Sequence, residues 1–288
     1  MSKSRKWLAL MVAFALALGA FGLVGCNGGD GGDEARVIKS TDDLKSGDKI
    51  GVQSGTTGES WATTNLEPKG IEIVPYNETT AAFQALQSGD VIGVINDITI
   101  SLDIAKDQTL GIEVVEEIVT DEGYGFAFNK GNPELRDAVN WGLQECVADG
   151  TYAEIYEKWL GKAPMSEPEL SGFMEPTAAL KLIVPNKLTV GSDNAFPPFE
   201  SIEGGTPVGF DVDLVNAIAE KLGIAEVEFK TYNFDALVPA MKAGAEFDMI
   251  ASGMTATGDL GAERAQSVDF SEIYIYTNQS LAVKKAAE

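Results

Sequence analysis

The 288-residue chain contains no histidine. That removes imidazole zinc sites, histidine triads and the customary general base near neutrality, so catalysis is disfavoured before any motif is considered. Basic residues are scarce: 21 Lys and Arg face 44 Asp and Glu, a formal net charge of -23. A surface this acidic repels nucleic acid phosphates and anionic lipid headgroups, and draws small cations and zwitterions toward it. What remains is ample for folding. With 44% hydrophobic residues, the chain can bury one large core or two modest ones.

At the N-terminus Lys3, Arg5 and Lys6 precede an apolar run, Trp7 to Leu18, which ends in small residues before Leu23-Val24-Gly25-Cys26. That is the pattern of a secretory signal rather than a spanning helix, expected over residues 1–25. The four residues ending at Cys26 resemble a bacterial lipobox. The resemblance implies that Cys26 is lipidated as the first mature residue and that the protein is extracytoplasmic, held to the cell membrane by acyl chains. Cys146 is then the one remaining thiol, set in an apolar helical pattern and assigned to the core, so no intramolecular disulfide forms. Residues 26–35, mostly Gly and Asp, read as a flexible tether.

Next, a strand from Lys49 to Val52 runs into Gln53-Ser54-Gly55-Thr56-Thr57-Gly58-Glu59-Ser60 and a helix from about Ser60. Such a loop at a helix's positive end is a ready anion site or a plain strand-to-helix turn. Lacking Gly-Lys-Ser/Thr, it is not a nucleotide P-loop. A strand (Ile71 to Tyr76), a helix (Thr79 to Ser88) and a strand (Val91 to Ile95) ending at Asn96-Asp97 predict a parallel sheet with helical crossovers. In such sheets ligands sit beyond the strands' C-terminal ends, where Thr56, Thr57 and Asp97 fall. Asp97 equally suits capping of the next helix, Ile98 to Lys106. Gly123 to Phe128 is a Gly-interrupted strand, followed by helices Leu135 to Ala148 and Thr151 to Leu160. Residues 162–187, broken by Pro164, Pro168, Pro176 and Pro185, form a linker with at most a short helix at Thr177 to Leu182.

The second half opens with a strand, Leu188 to Gly191, and a loop in which Pro197 and Pro198 stiffen the display of Phe196 and Phe199. A helix through Leu222, a strand (Val227 to Lys230), a helix (Ala236 to Lys242) and a closing strand (Ile273 to Val283) complete the pattern. Between them, a strand ending at Ala251 gives way to Ser252, Gly253 and Thr255, which expose backbone groups and hydroxyls, and Arg264 follows after a Gly-rich loop. A guanidinium beside free N–H donors suits a small carboxylate. Pairing of Arg264 with Glu263 or Asp269 on the surface is the other reading, and this stretch alone does not choose between them.

Taken together, these segments resemble the polar amino acid binding proteins of bacterial ABC importers, the group that includes the glutamine, histidine and lysine/arginine/ornithine receptors. The motifs are Gly191-Ser192-Asp193 with Phe196-Pro197-Pro198-Phe199, Gly209-Phe210-Asp211-Val212-Asp213-Leu214, Asn233-Phe234, Ser252-Gly253-Met254-Thr255, Glu263-Arg264, Asp269-Phe270-Ser271, Val52 to Gly58, Asn96-Asp97, and Gly150 to Trp159. The resemblance implies an α/β, two-lobe periplasmic-binding-protein type 2 fold, each lobe a mixed, mainly parallel sheet flanked by helices. In that family the segment starting like Leu188 comes first and the one starting like Ile50 second. Here they are exchanged, so the chain resembles a circular permutant. Residues 36–122 are then lobe 2, residues 123–161 the crossover strand and helices packing on lobe 1, 162–187 the permutation linker and 188–288 lobe 1. With the chain ends at one interlobe strand, a single covalent crossing is expected near Tyr124 to Phe128.

The resemblance also implies roles. Arg264, with N–H groups at Thr255 and Thr57, would grip an α-carboxylate. Asp97, the Gly253 carbonyl and the Thr255 hydroxyl would take the α-ammonium, while Phe196 and Phe234 would sandwich the side chain. Specificity would rest on Asp193, Gln53, Gly58 and Ser252. An aspartate near the side chain favours a donor, ranking Arg, Lys, His and Gln above Glu or Asp, with cystine open. Arg264 stands nine residues after Thr255 where the family has five, which reads as a four-residue insertion within Gly258 to Ala262. The implied partners are a small-molecule amino acid and the transmembrane subunits of an ABC permease, for a monomer that binds no nucleic acid. No cofactor, metal or catalytic residue is implied. The same fold hosts periplasmic dehydratases and ligand-sensing receptors, which stand as the alternatives.

Overall fold

A computed structural model describes residues 36–162, 167–244 and 246–285, so the expected signal, Cys26 and the tether lie outside the described residues. The unit from Val37 onward carries two five-stranded sheets and one small three-stranded sheet. Its first elements alternate as the sequence pattern requires: β1 (Lys49–Gln53), α1 (Thr57–Asn65), β2 (Glu72–Tyr76), α2 (Thr79–Ser88), β3 (Gly93–Asp97) and α3 (Ile98–Lys106). Two features were not expected from the sequence, a 13-residue strand β4 (Ile112–Tyr124) and a break before β5 (Ala127–Asn129). α4 (Pro133–Ala148) and α5 (Thr151–Leu160) follow. The second half runs β6 (Lys187–Ser192), β7 (Ala195–Phe196), β8 (Glu200–Glu203), β9 (Thr206–Val208), α6 (Phe210–Lys221), β10 (Glu226–Thr231) and α7 (Phe234–Lys242). It closes with β11 (Met249–Ile250), α8 (Gly258–Arg264), β12 (Val268–Phe270) and β13 (Ile275–Lys284).

The sheets define two lobes, each mixed and flanked by helices. Lobe 2 is ordered β2-β1-β3-β13-β4, with β1 parallel to β2 and β3, and β13 antiparallel to β3 and β4. Lobe 1 is ordered β10-β6-β11-β5-β12, with β6 parallel to β10 and β11, and β5 antiparallel to β11 and β12. Both sheets bury apolar residues on two faces, as a crossover topology demands. In lobe 2, Ile50, Val52, Ile95 and Leu281 lie in one cluster and Val91, Val94 and Ala282 in another with Phe83 and Leu86 of α2. In lobe 1, Val190 and Met249 join Leu135, Val139, Leu143 and Cys146 of α4 and Leu214 and Ile218 of α6. Cys146 is fully buried and its thiol is pushed up to about 12 by that burial, which makes it inert at neutral pH.

Among the described residues the chain passes between the lobes twice, from Tyr124 to Ala127 and from Phe270 to Ile275, so the expectation of a single crossing is overturned. The reason lies in β13. Leu281, Ala282 and Val283 are apolar and at most 4% exposed, so the strand has two faces to bury and takes an interior place between β3 and β4. Residues 275–284 therefore belong to the lobe 2 sheet, not to lobe 1. No helix forms at Thr177 to Leu182 either. That stretch is held by side chains instead: Leu170, Leu180 and Leu182 pack on the lobe 1 core, and the Ile183 N–H donates to Asp248 Oδ1 at 2.8 Å.

Candidate functional site

The C-terminal ends of β1, β3, β6 and β11 converge where the lobes meet, and side-chain hydrogen bonds cross between the lobes there. Thr57 and Thr255 hydroxyls lie 2.9 Å apart, Gln53 Nε2 donates to Asp193 Oδ2 at 2.6 Å, and Arg264 Nη2 donates to the Gly55 carbonyl at 2.7 Å. α1 begins at this junction. Its N-cap Thr56 accepts from the Glu59 N–H, and its first residue, Thr57, supplies the hydroxyl that meets Thr255.

Arg264 reaches the junction because residues 258–264 form α8 rather than a loop. Most of the residues that separate it from Thr255 are taken up as helical turns. Gly261 permits this: a Cβ there would stand 2.3 Å from the Ala256 carbonyl. Arg264 Nη1 then donates back to the Thr255 carbonyl at 2.9 Å, and the guanidinium lies 5.3 Å from the Phe234 ring centre. It is 8% exposed, and burial draws its pKa down to about 10 against the opposing pull of Glu122, Asp97 and Glu263. Asp269, the surface partner considered from sequence, instead faces Lys130 and Arg136 at 3.6 and 3.9 Å.

Asp97 ends β3 and is 5% exposed. It makes no side-chain cap on α3. Its Oδ1 accepts from the Tyr124 hydroxyl and, at 3.0 Å, from Gln279 Nε2. Burial first, and then the charge of Glu122, hold its carboxyl well above the usual range. Thr255 links the acidic and basic sides, since its carbonyl accepts from Arg264 while its hydroxyl donates to Glu122 Oε2 at 2.9 Å.

On the other side of the junction, Asp193 is 3% exposed and pushed up to about 6 by burial. Its N–H donates to Ser252 Oγ at 3.0 Å, and Ser252 in turn donates to buried Glu200 at 2.6 Å. The Gly253 N–H donates to Asp211 Oδ2 at 2.9 Å, and the Tyr274 hydroxyl does the same at 2.9 Å. Phe196 stacks on Phe199 at 5.9 Å and closes on Gly253, where a Cβ would stand 2.8 Å from its ring. Among the described residues no ring contact joins Phe196 to Phe234, so the two aromatics border the junction separately. Gly58 faces back into lobe 2, toward Gln279 Oε1 and the Ile95 carbonyl, and is a packing position. Sequence reasoning missed Glu122, Tyr124 as a donor, Gln279, Glu200 and Tyr274. Glu122 is concealed in an acidic strand, and only its place directly before Gly123-Tyr124-Gly125 marks it.

These buried acids predict how stability varies with pH. Asp193 at about 6 and Asp211 at about 7, each against an ordinary 3.8, keep protons in the folded state that the unfolded chain gives up. Folded protein thus binds more protons between about pH 4 and 7, and stability falls as pH rises through that window. Urea unfolding is expected to show a higher midpoint at pH 5 than at pH 8. Asp211→Asn should flatten part of that slope, whereas relief of overall negative charge would leave the slope intact in the variant.

Two stretches, residues 63–162 and 188–288, match the family model described as bacterial extracellular solute-binding proteins, family 3. The chain is 35% identical over 125 residues to the L-cystine-binding protein TcyJ of Escherichia coli (strain K12), covering 43% of this chain and 46% of that one. It is 40% identical over 134 residues to a probable histidine-binding protein of Neisseria gonorrhoeae, covering 45% and 48%. The matches thus span about half the length of these relatives. A solved structure of an ancestral arginine-binding protein bound to glutamine is 43% identical over 31% of this chain and 37% of its own, with a TM-score of 0.28. With the two family-model stretches together making up more than half of its length, this chain, a two-lobe α/β protein of the periplasmic-binding-protein fold, belongs to the bacterial extracellular solute-binding proteins, family 3.

Proposed function

We propose that the protein is the lipid-anchored substrate-binding component of an ABC importer, closing its two lobes around one polar α-amino acid. The observation that carries this reading is the convergence on Thr255 of a guanidinium on one side and buried carboxylates on the other, with the residues drawn from both lobes. A zwitterion presents two opposite charges at a fixed spacing, and a cleft with both partners in place selects it over either ion alone. Asp193, reached from lobe 2 by Gln53, faces the side-chain end and favours a donor there. Arg, Lys, His and Gln therefore rank above Glu and Asp. The permease reads the closed form, and Cys26 keeps the receptor at the membrane through acyl chains.

The exchanged order of the halves is part of this reading. A chain permuted relative to its relatives aligns with each only one half at a time, and matches covering 43% and 45% of this chain are what such an order produces. The proline-rich stretch between the two matched segments would join the family's old ends. Calorimetry with single amino acids tests the function. A member of the Arg, Lys, His and Gln group is expected to bind at least about tenfold tighter than Glu or Asp. Preference for a dicarboxylic substrate, or no heat with any amino acid, would overturn the assignment.

A further inference from the structure

Asp97 on β3 and Glu122 on β4 flank β13 and are 5% and 2% exposed. One amide holds them both: Gln279 Nε2 on β13 donates to Asp97 Oδ1 at 3.0 Å and to Glu122 Oε1 at 2.6 Å. Neither carboxylate takes part in an ion pair among the described residues. Arg264, the nearest buried cation, directs its observed hydrogen bonds to the Thr255 and Gly55 carbonyls instead. Gln279 is itself fully buried, and its Oε1 has no donor. Two carboxylates and a spare carbonyl oxygen thus crowd one place with too few hydrogens to serve them. Buried acceptors in such excess require either a proton or a cation that brings several N–H groups.

The other groups facing the pair do not supply that cation. Tyr124 on β4 donates to Asp97, Thr120 donates to Glu122 Oε1 at 3.2 Å, and Thr255 donates to Glu122 Oε2 at 2.9 Å. From α8 come Arg264 and, beyond it, Glu263. Also from lobe 1, the buried Glu200 lies within electrostatic reach of Asp97. All are neutral, acidic or already engaged.

We propose that Glu122 is, with Asp97, a direct seat for the substrate's primary ammonium, that Gln279 sets the spacing of the two carboxylates, and that the entering ammonium displaces a proton the pair otherwise holds. This rests on the amino acid reading of the cleft and deepens it. Burial and the neighbouring charge of Glu122, which keep the Asp97 carboxyl protonated well above the usual range, support the proton's place. The chemistry chooses the ligand class. A primary ammonium carries three N–H donors and no acceptor, enough for two carboxylates and a third oxygen. An N,N-dimethyl amino acid keeps the charge but has one donor, and an α-hydroxy acid has one donor and no charge. Because β4 ends at one interlobe crossing and β13 begins at the other, the seat also ties occupancy to both connecting strands.

Calorimetry of the protein with a tight-binding primary amino acid, run near neutral pH in buffers of unlike ionisation enthalpy, tests the seat. Release of about one proton per ligand is expected, and in a chain without histidine its source is a carboxyl group. Glu122→Gln should bind at least about tenfold more weakly and release no proton. Should that variant fail to fold, the parent's proton count and its rejection of the N,N-dimethyl analogue decide. Heats independent of buffer, equal affinity for the dimethyl analogue, or an unchanged affinity in Glu122→Gln would each overturn the seat while leaving the receptor standing. Absence of binding by any amino acid would overturn the receptor reading and the seat with it.

Discussion

Replacing Arg264 by alanine is expected to weaken amino acid binding by about 3 kcal/mol, on the order of a hundredfold, while leaving the fold in place. The size follows from burial. At 8% exposure the guanidinium would meet the proposed ligand's carboxylate without competing water, and its removal would leave that anionic end facing the carbonyls of Thr255 and Gly55. Two of its five donors are occupied by those carbonyls, and the planar group against Phe234 is already held in orientation, so little freedom is lost on binding. Arg264→Lys separates charge from geometry. A lysine keeps the positive charge but cannot form paired parallel hydrogen bonds, and it is expected to recover only a minor part of the loss. Because Arg264 also reaches Gly55 in lobe 2, its loss would loosen closure as well. Small-angle scattering of the variant at saturating ligand, compared with the parent, measures that second effect. A variant that binds as tightly as the parent would remove the carboxylate assignment.

The parts of the fold visible in the sequence are those whose buried faces are apolar and regular. The alternation from β1 to α3 was legible because α2 repeats Ala82, Phe83, Ala85 and Leu86 on one face, and because Asn96-Asp97 punctuates the strand before α3. β4 was not legible. Of its 13 residues, Glu113, Glu116, Glu117, Asp121 and Glu122 are acidic, and such a run reads as a solvated loop. It is an edge strand in which Glu122 is buried and hydrogen-bonded within the protein, a placement of charge that periodicity does not reveal. The sequence marks β13 as a strand but not its lobe, since its apolar residues suit either sheet. Its place is decided by registry with β3 and β4, a contact between residues some 180 positions apart in sequence, such as Ser280 and Asn96. α8 looks like a loop in the sequence for a different reason: three of its first residues, Gly258, Asp259 and Gly261, are poor helix formers, and packing on Ala256 overrides their propensity. Within the candidate site, the sequence signals a residue whose type is unusual for its setting, such as Arg264, and conceals a buried acid that looks like surface, such as Glu122.

Gly209→Ala is expected to be the most destabilising of these changes, costing about 4 kcal/mol or more, because it sets a side chain against backbone that has nowhere to go. Gly209 caps α6 at φ +141° and ψ 176°, a region that L residues rarely enter. A Cβ there would stand 2.1 Å from the Phe199 carbonyl oxygen and 2.5 Å from its carbon. Neither atom can yield alone. The Asp211 N–H donates to that same carbonyl at 3.0 Å, and the Phe210 N–H donates to the Pro198 carbonyl at 2.9 Å. Moving Phe199 would drag a ring that packs edge-on against Tyr124 at 5.4 Å and Phe210 at 5.7 Å, and stacks on Phe196. The strain therefore enters the core of lobe 1 and the aromatic border of the cleft together. A urea midpoint for Gly209→Ala close to that of the parent would show that the Phe199 loop shifts freely. In that event Phe196 is not positioned by lobe 1, and the aromatic side of the cleft is soft rather than preformed.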